Sequence, residues 1–160
     1  MQHFLREIKI GKDKDIYQES VLGKSLSGVD IPFLTITSRL NSDPNEYNLI
    51  KSEEFDESDS KVSTPMYKRK KYVVVTARVH PGESNSSLMM QGFIKYIMSN
   101  HATAKELRKR TIFLIIPMIN IDGVLVGNYR TSMSGNDLNR KYIDSDKLLH
   151  PEVCYIKTLI

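Results

Sequence analysis

The sequence predicts an α/β fold, and three observations carry that prediction. Tyr72–Ala77 (YVVVTA) is β-branched and apolar throughout, the pattern of a central strand covered on both faces. Leu88, Met89, Phe93, Tyr96 and Ile97 then recur at helical spacing. Ile112–Ile116 (IFLII) makes a second buried strand that ends at Pro117. Strand, helix, strand in this order is a βαβ unit, with parallel pairing and a right-handed crossover.

Taken in chain order, residues 16–37 read as a hairpin. IYQESVLGKS and IPFLTIT are strand-like runs, and the LSGVD between them supplies the turn formers Ser27, Gly28 and Asp30. Residues 41–71 change character to an acidic and then basic loop insert. Asp43, Glu46, Glu53, Glu54, Asp56, Glu57 and Asp59 stand there among Ser, Asn and Pro, without the spacing or glycine of a calcium loop. The helix after Tyr72–Ala77 begins at Ser84 or Asn85 and closes at Ser99-Asn100. A short helix bearing Ala104 and Leu107 follows. Beyond Pro117 comes a long stretch of turn formers, and His150-Pro151 marks the start of a last helix.

Bulk properties exclude several classes. At 160 residues, 40% hydrophobic and 26% charged, the chain has the composition of one soluble globular domain. No apolar run approaches the roughly 20 residues of a membrane helix, and MQHFLREIKI lacks a signal-peptide pattern. A lone Cys154 excludes an internal disulfide framework and fits a reducing compartment, so the cytoplasm is expected. The net charge of +4 is mild. Its two basic runs, Lys68–Lys71 and Lys105 with Arg108–Arg110, read as solvated faces or strand-edge guards. Without aromatic interleaving or a known module, a nucleic-acid partner is not expected.

Two polar clusters lie where the strands end, which is where α/β sheets bind ligands. The first is His80-Pro81-Gly82-Glu83. An imidazole nitrogen and a carboxylate oxygen are both zinc donors. Pro81-Gly82 offers the sharp turn that would bring them together, with φ fixed at the proline and free at the glycine. A helix-entry turn with Glu83 near the N-cap is the alternative. The second cluster runs from Asn120 to Arg140. A guanidinium binds a carboxylate through parallel hydrogen bonds. Asn139-Arg140 is therefore chemically apt for a free carboxylate, and Arg130 for a developing oxyanion. Equally, both arginines could pair with Asp122, Asp137 or Asp144 and simply stitch the loop.

Together the clusters resemble a known family. TARVHPGESNSSLMMQGFI, LRKRTIFLIIPMINIDGVLVGNYRTSMSGNDLNR and LHPEVCYIKTLI resemble the M14 zinc carboxypeptidases. They are most similar to the cytosolic carboxypeptidase subfamily, which shortens glutamate tails on tubulin and other proteins. GKSLSGVDIPFLTIT looks like that subfamily's opening hairpin. Ile121 departs from the family, which usually has proline there, and the departure is expected to affect a turn and not the chemistry. The resemblance implies an α/β/α fold with a mixed sheet. It implies His80 and Glu83 as the first two ligands of one Zn2+, Arg130 polarising the scissile carbonyl, and Asn139 and Arg140 holding the substrate's terminal α-carboxylate. The implied partners are C-terminal tails of proteins or peptides.

In that family the third zinc ligand and the general base come from later strands, so both are expected beyond residue 160. His3, His101 and His150 are not expected to substitute. Val153, Ile156, Leu159 and Ile160 show helical apolar spacing with no polar exit, which reads as an incomplete catalytic domain spanning 1–160. The isolated chain is then expected to hold zinc weakly, to hydrolyse nothing, and to present an apolar sheet edge. Two other readings stay open: a non-catalytic remnant, and an α/β module that binds acidic or carboxylate-ended tails without metal.

Overall fold

A computed structural model describes residue 4, residues 15–38 and residues 70–160. The acidic stretch 41–65 and part of the basic run at 68–71 therefore lie outside the described residues, as does His3. A four-stranded sheet has the order β1-β2-β4-β3, where β1 is Tyr17–Lys24, β2 is Asp30–Ile36, β3 is Lys71–Thr76 and β4 is Thr111–Ile116. β1 and β2 form an antiparallel hairpin. β2 pairs antiparallel with β4, and β3 pairs parallel with β4 from Lys71↔Thr111 to Thr76↔Ile116. The sheet is mixed, as the resemblance implies.

Helices α1 (Ser84–Ile97) and α2 (Ala102–Arg110) connect β3 to β4, and α3 (Ile121–Val126) and α4 (Pro151–Leu159) follow. Side chains alternate across a strand, and β4 shows what that does here. Phe113 and Ile115 join Leu34, Ile36, Met90, Ile94 and Ile97 in one apolar cluster, under α1. Ile116 joins Ile31, Ile119, Leu138, Val153 and Ile156 in the other, under α4. The result is three layers, α/β/α. Each fully buried isoleucine of these clusters contributes about 1.5–3 kcal/mol.

Three expectations need correction. β4, buried at every position, is the central strand; β3 lies at the edge of the described sheet, with Tyr72 and Val73 exposed. An apolar run reports what a strand can bury, not which neighbours it has. The core face of α1 is also rotated. Ser87, Met90, Ile94 and Ile97 are buried, whereas Leu88 and Met89 are 68% and 73% exposed. Both sets have helical spacing, so periodicity alone could not choose between them. Finally, Arg108 is not on a solvated face. It is buried, donates through NH1 to the carbonyls of Ile97 and Ser99, and closes the turn between α1 and α2.

Candidate functional site

The two polar clusters leave the sheet side by side because β3 and β4 are parallel neighbours. Their pairing continues past the strand ends. Ala77 N donates to Ile116 O at 3.0 Å, Ile119 N to Ala77 O at 3.0 Å, and Asn120 N to Arg78 O at 3.1 Å. Asn120 is fully buried and works on both loops. Its Oδ1 accepts from Gly123 N and caps α3, while Nδ2 donates to Val79 O at 3.2 Å.

Glycine lets the loops touch. Gly82 N donates to Tyr129 O at 2.7 Å, and a Cβ on Gly82 would sit 2.8 Å from that carbonyl and 2.4 Å from the Tyr129 ring. A Cβ on Gly123 would meet Pro81 Cγ at 2.4 Å. Gly82 therefore provides space for a close backbone approach. The freedom of φ expected of it belongs elsewhere: the residue with positive φ in this loop is Arg78, at 57°.

Glu83 occupies the N-cap position of α1, but its side chain makes no capping bond. It turns back to His80, whose Nδ1 lies 2.9 Å from Glu83 Oε1. The His80 side chain is 9% exposed, that of Glu83 48%. On its other edge the ring meets the second cluster, with Nε2 3.0 Å from Asp137 Oδ1. Asp137 in turn accepts Asn139 N at 2.9 Å and, through Oδ2, Arg130 Nε at 2.9 Å and NH2 at 2.8 Å. Glu83, His80, Asp137 and Arg130 thus form one continuous polar chain across both loops. Partial burial pushes the Asp137 carboxyl upward. The His80 ring, the Asn139 N–H and the Arg130 guanidinium outweigh it and hold the carboxyl below its usual range.

The arginines differ. Arg130 has two of its nitrogens on Asp137, the loop-stitching partner among those considered above, and keeps NH1 for other contacts. Arg140 and Asn139 are exposed on the short 3₁₀ turn Leu138–Arg140. Among the described residues the Arg140 guanidinium makes one hydrogen bond, from NH1 to Asn139 O at 3.4 Å, while its backbone N donates to Asp137 O at 3.0 Å. Asp122 binds neither arginine. It is buried and accepts Ser25 Oγ at 2.7 Å and Ser27 N at 2.8 Å, which docks the hairpin turn beside α3.

Which groups could hold a metal ion follows from the donors. A neutral imidazole has one N–H, so His80 can donate to one carboxylate only. With that proton on Nε2 toward Asp137, the Nδ1 lone pair faces a carboxylate oxygen, an arrangement that a cation between them would relieve. Ligating histidines generally give their other N–H to a carboxylate in this way. His80 and Glu83 therefore fit as two ligands. No group of three His, Cys, Asp or Glu able to hold a metal occurs among the described residues. His101 caps α2, accepting Thr103 N at 3.2 Å. His150 sits at the start of α4 and accepts Asp146 N at 3.3 Å. Neither reaches His80.

Sequence reasoning missed Asp137 as the link between the clusters. The available signal was Asp-x-Asn-Arg, an aspartate two residues before Asn139, where its carboxylate can accept that residue's N–H.

An imidazole and a carboxylate at one strand exit, with guanidinium groups at the next, is a layout suited to a metal-dependent hydrolase of the α/β class. Comparison with known proteins agrees. The zinc carboxypeptidase family, Peptidase_M14, matches residues 1–152, and the chain belongs to that family. It is 40% identical over 144 residues to human cytosolic carboxypeptidase 1, covering 90% of this chain and 10% of that protein. It is 39% identical to cytosolic carboxypeptidase 2 of Danio rerio, covering 100% of this chain and 19% of that protein. Among solved structures it is similar to a metallo-carboxypeptidase from Burkholderia cenocepacia, with a TM-score of 0.73 and 25% identity over 99% of this chain and 36% of that one. A putative carboxypeptidase A from Shewanella denitrificans matches with a TM-score of 0.74 at 25% identity, over 99% of this chain and 35% of that one. The chain thus spans about a tenth to a fifth of the length of these curated relatives.

Proposed function

We propose that this chain supplies the first two metal ligands and the carboxylate-binding loop of a zinc-dependent carboxypeptidase that removes C-terminal residues, glutamates in particular, from proteins such as tubulin. The observation that carries the reading is the His80 ring, held at Nε2 by Asp137 and facing Glu83 with Nδ1. His80 and Glu83 would hold the Zn2+. When bound, it would polarise the scissile carbonyl and lower the pKa of a water.

The remaining roles fall to side chains of the second loop. Asp137 fixes the tautomer and orientation of His80. Arg130, braced on Asp137, directs NH1 to the oxygen that gains charge during attack. Exposed Arg140 and the Asn139 amide bind the free α-carboxylate, which restricts cleavage to the chain end. Hydrolysis is expected of a protein that adds a third ligand and a general base to these residues. Glutamate preference, tubulin as a partner and a cytoplasmic location rest on likeness to the cytosolic carboxypeptidases. Among the described residues no helix is long and apolar enough to cross a membrane.

Peptide binding tests the carboxylate role directly. A peptide ending in consecutive glutamates should bind about tenfold more tightly with a free C-terminus than as its amide, a difference of about 1.4 kcal/mol. Arg140→Ala should abolish that difference. Equal binding of acid and amide by the unaltered chain would count against the reading and favour loop-stitching arginines.

A further inference from the structure

The loop carrying His80 and Glu83 is spanned by a side chain to which no role has yet been given. Arg78 takes φ +57°, the left-handed region that any residue with a Cβ adopts at a cost. Glycine would sit there without strain. What the arginine adds is its guanidinium, whose Nε donates to Pro81 O at 2.7 Å and NH1 to Ser87 Oγ at 2.7 Å. Ser87 is buried in the first turn of α1.

These contacts fall on the segment that sets the angle between the two candidate ligands. The peptide unit joining Pro81 to Gly82 lies midway between His80 and Glu83. Its carbonyl is held by Arg78, and its N–H by Tyr129 O at 2.7 Å. Held at both ends, that peptide plane cannot rotate without breaking one bond. The second arm of the guanidinium ties the same loop to the helix that begins at Ser84, directly after Glu83.

We propose that Arg78 is a positioning residue, whose guanidinium fork fixes the Pro81–Gly82 peptide and so keeps His80 and Glu83 aimed at a common point. This rests on the metal-ligand reading of that pair. The two effects can be separated: Arg78→Gly removes the fork and the backbone strain together, whereas Arg78→Ala removes the fork and keeps the strain.

The test uses the 160-residue chain and three variants: Arg78→Gly, Arg78→Ala and Ser87→Ala. Amide hydrogen exchange at Gly82 and Glu83 is measured without metal, and Zn2+ is then titrated while the His80 ring resonances are followed by NMR. Both Arg78 variants should exchange faster at those two amides and raise the zinc midpoint about tenfold, by similar amounts. Ser87→Ala, which keeps the Pro81 contact, should fall between them and the unaltered chain. An Arg78→Gly variant with unchanged exchange and an unchanged midpoint would overturn the proposal, since the backbone alone would then shape the loop. If zinc leaves the His80 ring of the unaltered chain unmoved, the metal reading fails, and the amide exchange still decides whether Arg78 holds the loop.

Discussion

Replacing Asp137 by alanine should damage both loops at once, and the size of the effect can be worked from its contacts. The carboxylate accepts from His80 Nε2 at 3.0 Å, Asn139 N at 2.9 Å and the Arg130 guanidinium at 2.8–2.9 Å. Arg130 is half exposed, so its ion pair contributes no more than about 1 kcal/mol. His80 is the costly partner. Its side chain is 9% exposed, and leaving the ring nitrogen unpaired costs about 1–2 kcal/mol. With the Asn139 contact included, Asp137→Ala should lower unfolding stability by about 2–3 kcal/mol, read from the urea midpoint at constant m-value. The zinc midpoint should rise about 10–100-fold, because the ring loses the group that fixes its tautomer. Asp137→Asn keeps one acceptor oxygen and should rank between the two. Because the folded state holds this carboxyl below its ordinary range, the unfolded chain takes up the proton first on acidification. The stability from Asp137 is therefore complete above about pH 4 and lost as pH falls further. A loss below about 0.5 kcal/mol with an unchanged zinc midpoint would refute the claim that Asp137 orients His80.

Glu152 should show the opposite pH dependence. Burial, reinforced by the nearby Asp122 carboxylate, pushes its carboxyl upward. The folded state then keeps the proton longer, and stability falls as pH rises through the folded value. Glu152→Gln should remove that decline, which sets in above the ordinary carboxylate range, in urea unfolding; parallel curves for both proteins would contradict it. Gly82→Ala should force the loops apart, because its Cβ would lie 2.8 Å from the Tyr129 carbonyl. A cost of about 1–3 kcal/mol and loss of NMR contacts between His80 and Asp137 are expected. An unchanged melting temperature would show that the loops can yield there.

What the sequence revealed, and what it hid, divides along physical lines. Most strands and helices were legible because their patterns are local: the turn formers at Ser27 and Gly28, the apolar run Ile112–Ile116, the Pro151 that opens α4; the helix Ile121–Val126 was not, because it lies in a stretch read as turn formers. The adjacency of the two clusters was also legible, since parallel strands carry their exit loops to the same edge. Sheet position was not. Nothing within Tyr72–Ala77 says that β4 would take the centre. The helix face failed for a related reason, as Leu88 and Met89 obey the same spacing as Met90 and Ile94. Long-range polar pairing was least visible. Asp137 lies 57 residues from His80, and nothing in the sequence marked out Arg78, whose place in the loop shows only in its backbone angle and its bonds to Pro81 and Ser87.

The most direct measurement is site-resolved NMR of the chain during zinc titration, with side-chain resonances assigned for each histidine and for Glu83. The His80 ring and the Glu83 carboxylate should shift together and saturably, and Glu83→Ala should weaken the response of His80. Zinc-dependent shifts centred on His3, His101 or His150, with His80 and Glu83 unmoved, would contradict a metal centre at the exit of β3.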